Sequence, residues 1–186
     1  MKEILVNLDK CLGCKTCELR CAVERSSKSK SLYSAVRENP KPLPRIDVQS
    51  IKDGYLPLQC RHCEEAPCLN ACPTGALFRK EDNGPVIVDE NLCVGCWMCV
   101  MTCPFGAITP LLERKKIIKC DLCVNMERPV CVDACPTGAL VYCDTQSAKL
   151  ILEEKKGNFI QKVFSDTSEG IRRGLLKFDY KQGSSS

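Results

Sequence analysis

No stretch of this 186-residue chain approaches the ~20 consecutive apolar residues that a membrane span needs. There is no G-x-G-x-x-G turn for a dinucleotide and no phosphate-binding P-loop. The opening run Met1-Lys-Glu-Ile-Leu-Val-Asn-Leu-Asp9 lacks the apolar h-region and the twin arginine of an export signal, so a cytoplasmic location is expected. Histidine occurs once, at His62. Apolar residues are scarce too. The 44% apolar fraction counts 17 cysteines, and without them about 35% remains, low for a free-standing core of this length. Bound metal must then supply much of the folding free energy, as in small metal-dependent domains.

Cysteine is what the chain has in excess. Sixteen of the 17 fall into four groups of four: Cys11, Cys14, Cys17, Cys21; Cys60, Cys63, Cys68, Cys72; Cys93, Cys96, Cys99, Cys103; and Cys120, Cys123, Cys131, Cys135. The third is the C-x₂-C-x₂-C-x₃-C-P run of bacterial-type ferredoxins, and the first matches it except that Ala22 stands where proline would. The second and fourth have a wider gap before the third cysteine. Each group is short enough to wrap one cubane iron–sulfur cluster. In C-x₂-C-x₂-C the loop curls round the cluster with its amides inward, and Gly13 and Gly95 sit where a side chain would hinder that approach. Their counterparts in the wider groups are His62 and Leu122, so those loops must curl differently. The last cysteine lies one helical turn past the third, and a proline ends that turn after Cys72, Cys103 and Cys135.

Two other uses of the cysteines fit less well. A disulfide framework is disfavoured by the missing export signal, the odd total and the spacing in threes. Zinc sites draw four thiolates from two separated knuckles. Only Cys120/Cys123 with Cys131/Cys135 could pass for that alone. The formal charge of +4 treats thiols as neutral. Four thiolates on an oxidised cubane leave roughly −2 per cluster, so a fourfold-loaded chain would be near −4. The basic balance is then counter-charge, and no nucleic-acid partner is expected.

An internal repeat runs through the chain. Ile4-Leu-Val-Asn-Leu-Asp-Lys-Cys11 resembles Val86-Ile-Val-Asp-Glu-Asn-Leu-Cys93, a short strand, a turn and a first ligand. Cys72-Pro-Thr-Gly-Ala-Leu77, Cys103-Pro-Phe-Gly-Ala-Ile108 and Cys135-Pro-Thr-Gly-Ala-Leu140 each read as a helix end, a glycine turn and a return strand. Two such units make one ferredoxin domain, and four make two. Residues 22–59 read as an insertion: a surface loop with six basic residues from Arg25 to Arg45 against Glu38 alone, then a hairpin with its turn at Asp53-Gly54. The tail, 144–186, has a broken helical spacing from Ala148 to Val163, read as partly helical and as a docking arm in its sharper reading.

With all four motifs in view, the chain resembles the four-cluster electron-transfer subunits of anaerobic oxidoreductases over about residues 1–143. It is most similar to the iron–sulfur subunit that accompanies nickel carbon monoxide dehydrogenase. The stretches that carry this likeness are Lys10-Cys-Leu-Gly-Cys-Lys-Thr-Cys-Glu18, Pro57-Leu-Gln-Cys-Arg-His-Cys-Glu-Glu-Ala-Pro-Cys68 and Cys99-Val-Met-Thr-Cys-Pro-Phe-Gly106. The resemblance implies an α+β fold of two bacterial-ferredoxin-like βαβ-repeat domains in tandem. The outer one would span 1–21 plus 110–143, and the inner one 60–109. It implies interleaved ligation of four [4Fe–4S] clusters, one by Cys11, Cys14, Cys17 and Cys135, and another by Cys120, Cys123, Cys131 and Cys21. Cys60, Cys63, Cys68 and Cys103 would hold the third, and Cys93, Cys96, Cys99 and Cys72 the fourth.

The function expected is electron transfer between a catalytic oxidoreductase, carbon monoxide dehydrogenase foremost, and a second redox protein or soluble carrier. Related subunits serve hydrogenases, formate dehydrogenases and tungsten aldehyde oxidoreductases. No catalytic residue is expected, because full cysteine ligation leaves no open iron for substrate. The rival enzyme class would need turnover by the isolated chain, and a zinc module would be colourless with about four Zn. His62 reads as a hydrogen-bond donor behind the ligands, Trp97 as a shield against water, and Cys143 as a small buried hydrophobe.

Overall fold

The computed structural model describes residues 2–52, 54–144, 146–148, 150–151 and 153. Residues 1–145 form one compact unit and 146–186 a second. In the second, the described residues at 146–148, 150–151 and 153 are helical. The rest of the expected tail helix, including the Phe159–Val163 stretch, lies outside the described residues.

The first unit is a mixed structure of short helices and four two-stranded antiparallel sheets. Strand β1 (Lys2–Val6) leads into the first cysteine loop and helix α1 (Thr16–Glu24). A six-residue helix α2 (Leu32–Arg37) follows, capped by Ser31, whose hydroxyl accepts from the Ser34 amide. Within the run read as loop, this helix is a correction. Serine and basic residues dominate the stretch, and only Ala35 of α2 is buried, so no apolar periodicity betrayed it. Strands β2 (Ile46–Ile51) and β3 (Gly54–Gln59) form the expected hairpin. Ile51 pairs with Gly54, so that glycine opens β3 and does not sit in the turn.

The remaining elements repeat one plan: α3 (Pro67–Asn70) and β4 (Leu77–Arg79); β5 (Val86–Val88), α4 (Met98–Thr102) and β6 (Ile108–Leu111); then β7 (Lys116–Lys119), α5 (Val130–Asp133) and β8 (Leu140–Asp144). Each Pro-x-Gly-Ala segment turns at a left-handed glycine, Gly75, Gly106 or Gly138, before its strand.

Two separate cores result. The inner one gathers Ala66, Ala76, Leu77, Val86, Ile108 and Ile117 with Cys68, Cys93 and Cys99. The outer one gathers Ile4, Leu122, Val132 and Leu140 with Cys17, Cys21 and Cys131. Ile46 and Val48 belong to that outer core as well. The hairpin read as part of an insertion is therefore a wall of the outer core, with Asp47 and Gln49 facing water on its other side.

The two cores are built on one pattern, permuted. In the inner core β4 pairs with β5, Leu77 opposite Val88 and Arg79 opposite Val86. In the outer core β8 pairs with β1, Leu140 opposite Val6 and Tyr142 opposite Ile4. The register is the same, and so is the bond that closes it: the Asp89 amide donates to Ala76 O and the Asn7 amide to Ala139 O, both at 2.8 Å. The hairpin β6–β7 answers to β2–β3. The outer core thus spans the two ends of residues 1–145, with the inner core strung between them.

Candidate functional site

Local backbone geometry sets the thiols. In the two narrow loops Gly13 (φ +66°) and Gly95 (φ +69°) are left-handed, and Lys15 and Trp97 start α1 and α4 from the same conformation. A Cβ on Gly95 would lie 2.4 Å from the Lys115 carbonyl oxygen, and one on Gly13 would meet the Tyr55 ring. Both glycines are therefore needed for a close approach as well as for a turn. In the wide loops His62 (φ +47°) and Leu122 (φ +56°) adopt the left-handed conformation without glycine, and their amides donate to Cys60 Sγ and Cys120 Sγ, each at 3.4 Å.

The thiols come together across motifs. One cavity is lined by Cys11, Cys14, Cys17 and Cys135. A second is lined by Cys93, Cys96, Cys99 and Cys72. A third is lined by Cys60, Cys63, Cys68 and Cys103. In each, three thiols come from one motif and the last from another. Of the remaining four, Cys120, Cys123, Cys131 and Cys21, both Cys21 and Cys131 are electrostatic neighbours of the other three. Neighbouring sets also touch electrostatically: Cys17 with Cys131, Cys60 with Cys120, and Cys68 with Cys99. The order is a row, with exposed thiols Cys14 and Cys96 in the two end sets.

A cubane fits these surroundings. Donor chemistry is four soft thiols per set, the ligands iron–sulfur clusters take. Among the described residues no three His, Cys, Asp or Glu side chains converge as they would round one bare metal ion. The walls also hold orphaned donors. His62 is 2% exposed, and neither ring nitrogen has a hydrogen-bond partner of good geometry, Val86 backbone offering only a weak one. Burial, and then Lys119, pull its imidazole down to about 3, so the ring is neutral. Trp97 Nε1 is likewise buried and unpartnered in the wall of the Cys93 cavity. Cluster sulfurs would satisfy both. Burial raises the thiols of Cys17 and Cys99 to about 11 and that of Cys120 to about 12. Such thiols stay protonated until a cation displaces the proton. At the rims the balance reverses: a hydroxyl hydrogen bond from Thr16 at 3.3 Å lowers Cys14. Burial opposes any fall at Cys72 and Cys135, but backbone amides and the hydroxyls of Thr74 and Thr137 outweigh it.

Several functional side chains escaped sequence reasoning. Arg25 and Arg45, the ends of the supposed solvated run, turn inward onto Asp121, Arg25 by two bonds of 2.8 and 3.1 Å and Arg45 by one of 2.7 Å. Arg25 Nη2 also donates to Cys123 Sγ at 3.4 Å, and the Arg45 amide to Cys21 Sγ at 3.3 Å. Burial alone would raise the Asp121 carboxyl, yet Arg45 and Arg25 hold it below the usual range. The threonines had a visible signal, the repeated Cys-Pro-Thr-Gly. The arginines had none, because their partner lies 76 to 96 positions away. Cys143, expected to be buried, is half-buried on β8 opposite Glu3.

A family profile described as "4Fe-4S dicluster domain" matches residues 51–145. Over 175 residues the chain is 40% identical to the "Iron-sulfur protein" of Rhodospirillum rubrum, spanning 86% of this chain and 90% of that one. The chain belongs to the 4Fe-4S dicluster family. It is also 36% identical over 169 residues to "Electron transport protein HydN" of Escherichia coli, with 82% and 94% covered. Against a subunit of the anaerobic dimethyl sulfoxide reductase of the same organism it is 35% identical over 145 residues, with 74% and 70% covered. Members of this dicluster family carry electrons as iron–sulfur subunits of oxidoreductases, and this one binds [4Fe–4S] clusters. Among the described residues no helix is long and apolar enough to cross a membrane.

Proposed function

We propose that the chain is a cytoplasmic electron wire of two tandem ferredoxin-type domains holding four [4Fe–4S] clusters in a row. The ligand sets are Cys11, Cys14, Cys17 with Cys135; Cys120, Cys123, Cys131 with Cys21; Cys60, Cys63, Cys68 with Cys103; and Cys93, Cys96, Cys99 with Cys72. The outer domain takes 1–21 and 110–143, the inner 60–109, and 22–59 joins them while lending its hairpin to the outer core. The observation that supports this reading is that three cavities each collect three thiols from one motif and one from another.

Bound clusters supply one-electron oxidation and reduction at low potential. The chain's own residues do the rest. Thiolates grip, the amides of His62, Leu122, Ala107 and Ala139 point at ligand sulfurs, and the apolar walls keep water away. The Arg25 guanidinium offsets thiolate charge beside Cys123 and Cys21, and the Arg45 backbone amide donates to Cys21 Sγ. With four cysteines per cluster no iron is left open, which supports a subunit without a catalytic site of its own.

The partner at one end is a catalytic oxidoreductase, carbon monoxide dehydrogenase foremost, and at the other a second redox protein or soluble carrier. The loop sequences Lys10–Glu18, Pro57–Cys68 and Cys99–Gly106 support that choice. The names of two relatives, one an electron transport protein and one a subunit of dimethyl sulfoxide reductase, favour a second reading, the same wire serving another oxidoreductase such as a hydrogenase, formate dehydrogenase or aldehyde oxidoreductase. Anaerobic co-purification with identification of the bound subunits separates the two. Iron analysis should find about 16 Fe per chain, with broad absorption that dithionite bleaches. Iron-free but fully folded protein would end the proposal.

A further inference from the structure

The chain crosses between its two cores at two equivalent points, Gln59 just before Cys60 and Lys119 just before Cys120. Both side chains are nearly sealed, at 2% and 3% exposed. Gln59 Nε2 donates to the Ile4 carbonyl. Lys119 Nζ donates to the Val86 carbonyl, the repeat equivalent of Ile4, and to Cys120 O at 2.9 Å. An amide suffices to cap that carbonyl at one crossover, so the ammonium at the other needs its own explanation.

Two carbonyls solvate a buried cation but do not neutralise it, and a buried charge is tolerated only when paired. Among the described residues no carboxylate lies within ion-pair distance of Lys119. Among the described residues it acts electrostatically on Cys68 and on the neutral His62. Both line the cavity of Cys60, Cys63, Cys68 and Cys103, whose wall also includes Val86. On its other side Lys119 bonds the carbonyl of Cys120, a thiol of the adjoining set and an electrostatic neighbour of Cys60. This buried ammonium therefore stands between the two central thiol sets. The missing counter-ion is the anionic cluster itself.

We propose that Lys119 is a fixed counter-charge that holds up the reduction potential of the cluster at Cys60, Cys63, Cys68 and Cys103. This rests on the ligand sets inferred above. Reduction adds one negative charge to that cluster, and a nearby cation in a low-dielectric wall stabilises the reduced form. The same charge screens the two central clusters from each other while an electron sits on either. Gln59 can do neither at the equivalent crossover, so the wire is electrostatically asymmetric although its scaffold repeats.

The test is a redox titration of the reconstituted full chain under argon, followed by electron paramagnetic resonance, with iron and sulfide counted first. Lys119→Gln installs the residue already found at the sister crossover. One of four midpoints should fall by at least tenfold in its one-electron equilibrium constant, about 59 mV, and the other three by less. Lys119→Arg should leave all four in place. Four unchanged midpoints, or four falling together, overturn the proposal. Should Lys119→Gln lose iron, Gln59→Lys decides. It adds the charge at the equivalent site and must raise a different midpoint, and no rise overturns the proposal. Failure of the ligand sets shows separately, as wild-type iron far below about 16 per chain before any variant is made, and takes this proposal with it.

Discussion

The inner core closes with a hairpin, β4 and β5 joined by residues 80–85, whereas the outer core closes with β1 and β8, whose strands stand at opposite ends of residues 1–145. Register, closing hydrogen bond and glycine turns are shared, so connectivity is the difference. The closing loop, 7–139 against 80–85, is about twenty-two times longer and costs at most about 3 kcal/mol more in loop closure. A folded inner core shortens that loop and reduces the cost. The outer core is thus built on top of the inner one, and damage should spread in one direction.

The equivalent buried cysteines Cys68 and Cys131 test this most severely. Cys131→Ala should empty the outer clusters and leave about half of the ~16 Fe in place. Cys68→Ala should remove more than half, because a disordered inner core leaves the outer strands at the ends of a long floppy loop. Iron per chain after anaerobic desalting is the readout. Equal losses from the two variants would break the comparison.

Next in size are the two glycines. Alanine at either pays about 1–2 kcal/mol for a left-handed backbone. At Gly95 the new Cβ also strikes the Lys115 backbone, which cannot swing aside, and at Gly13 it strikes the Tyr55 side chain, which is 40% exposed. Gly95→Ala should therefore lower the melting temperature well beyond Gly13→Ala. Adding Tyr55→Ala should rescue only the Gly13 variant.

A smaller effect separates His62 from Leu122, alike in backbone and burial. Leu122→His buries unpartnered ring nitrogens and should cost about 1–3 kcal/mol, while His62→Leu loses the ring donor offered to cluster sulfur and should cost about 0.5–1.5 kcal/mol near pH 7. The sign reverses in acid. The folded chain keeps His62 neutral down to about 3, whereas the unfolded chain binds a proton below its ordinary value of 6.5. Wild-type stability should fall as pH drops below 6.5, and His62→Leu should flatten that slope between pH 7 and 5.5.

The same contrast shows what the sequence made legible. The cysteine spacing and the Pro-Thr-Gly-Ala endings announced the loops, the glycine turns and the strands, because each is a local code of a few residues. The likeness of Ile4–Cys11 to Val86–Cys93 announced the repeat. What stayed hidden was long-range: Ile46 and Val48 joining a core built from both ends of the unit, Arg25 and Arg45 meeting at Asp121, and Lys119 folding back on Val86. A lysine beside a cysteine looks like any surface charge until the chain's path buries it.

The smallest effect expected is at the seventeenth cysteine. Cys143 lies on β8, half-buried, opposite Glu3 of the strand that closes the outer core. The groups that act on it are burial and then the carboxylates Glu3 and Asp144, which raise its thiol, so it is a poor thiolate. Among the described residues no other thiol acts on it electrostatically, and it lines none of the three thiol cavities. Its equivalent on β4 would fall past Arg79, beyond the inner strand's end, so the repeat gives that position no ligand to copy. Cys143→Ser should keep iron and visible absorption at wild-type levels and change stability by no more than about 0.5 kcal/mol. A loss of even one cluster would mean that the outer half recruits a thiol the inner half lacks.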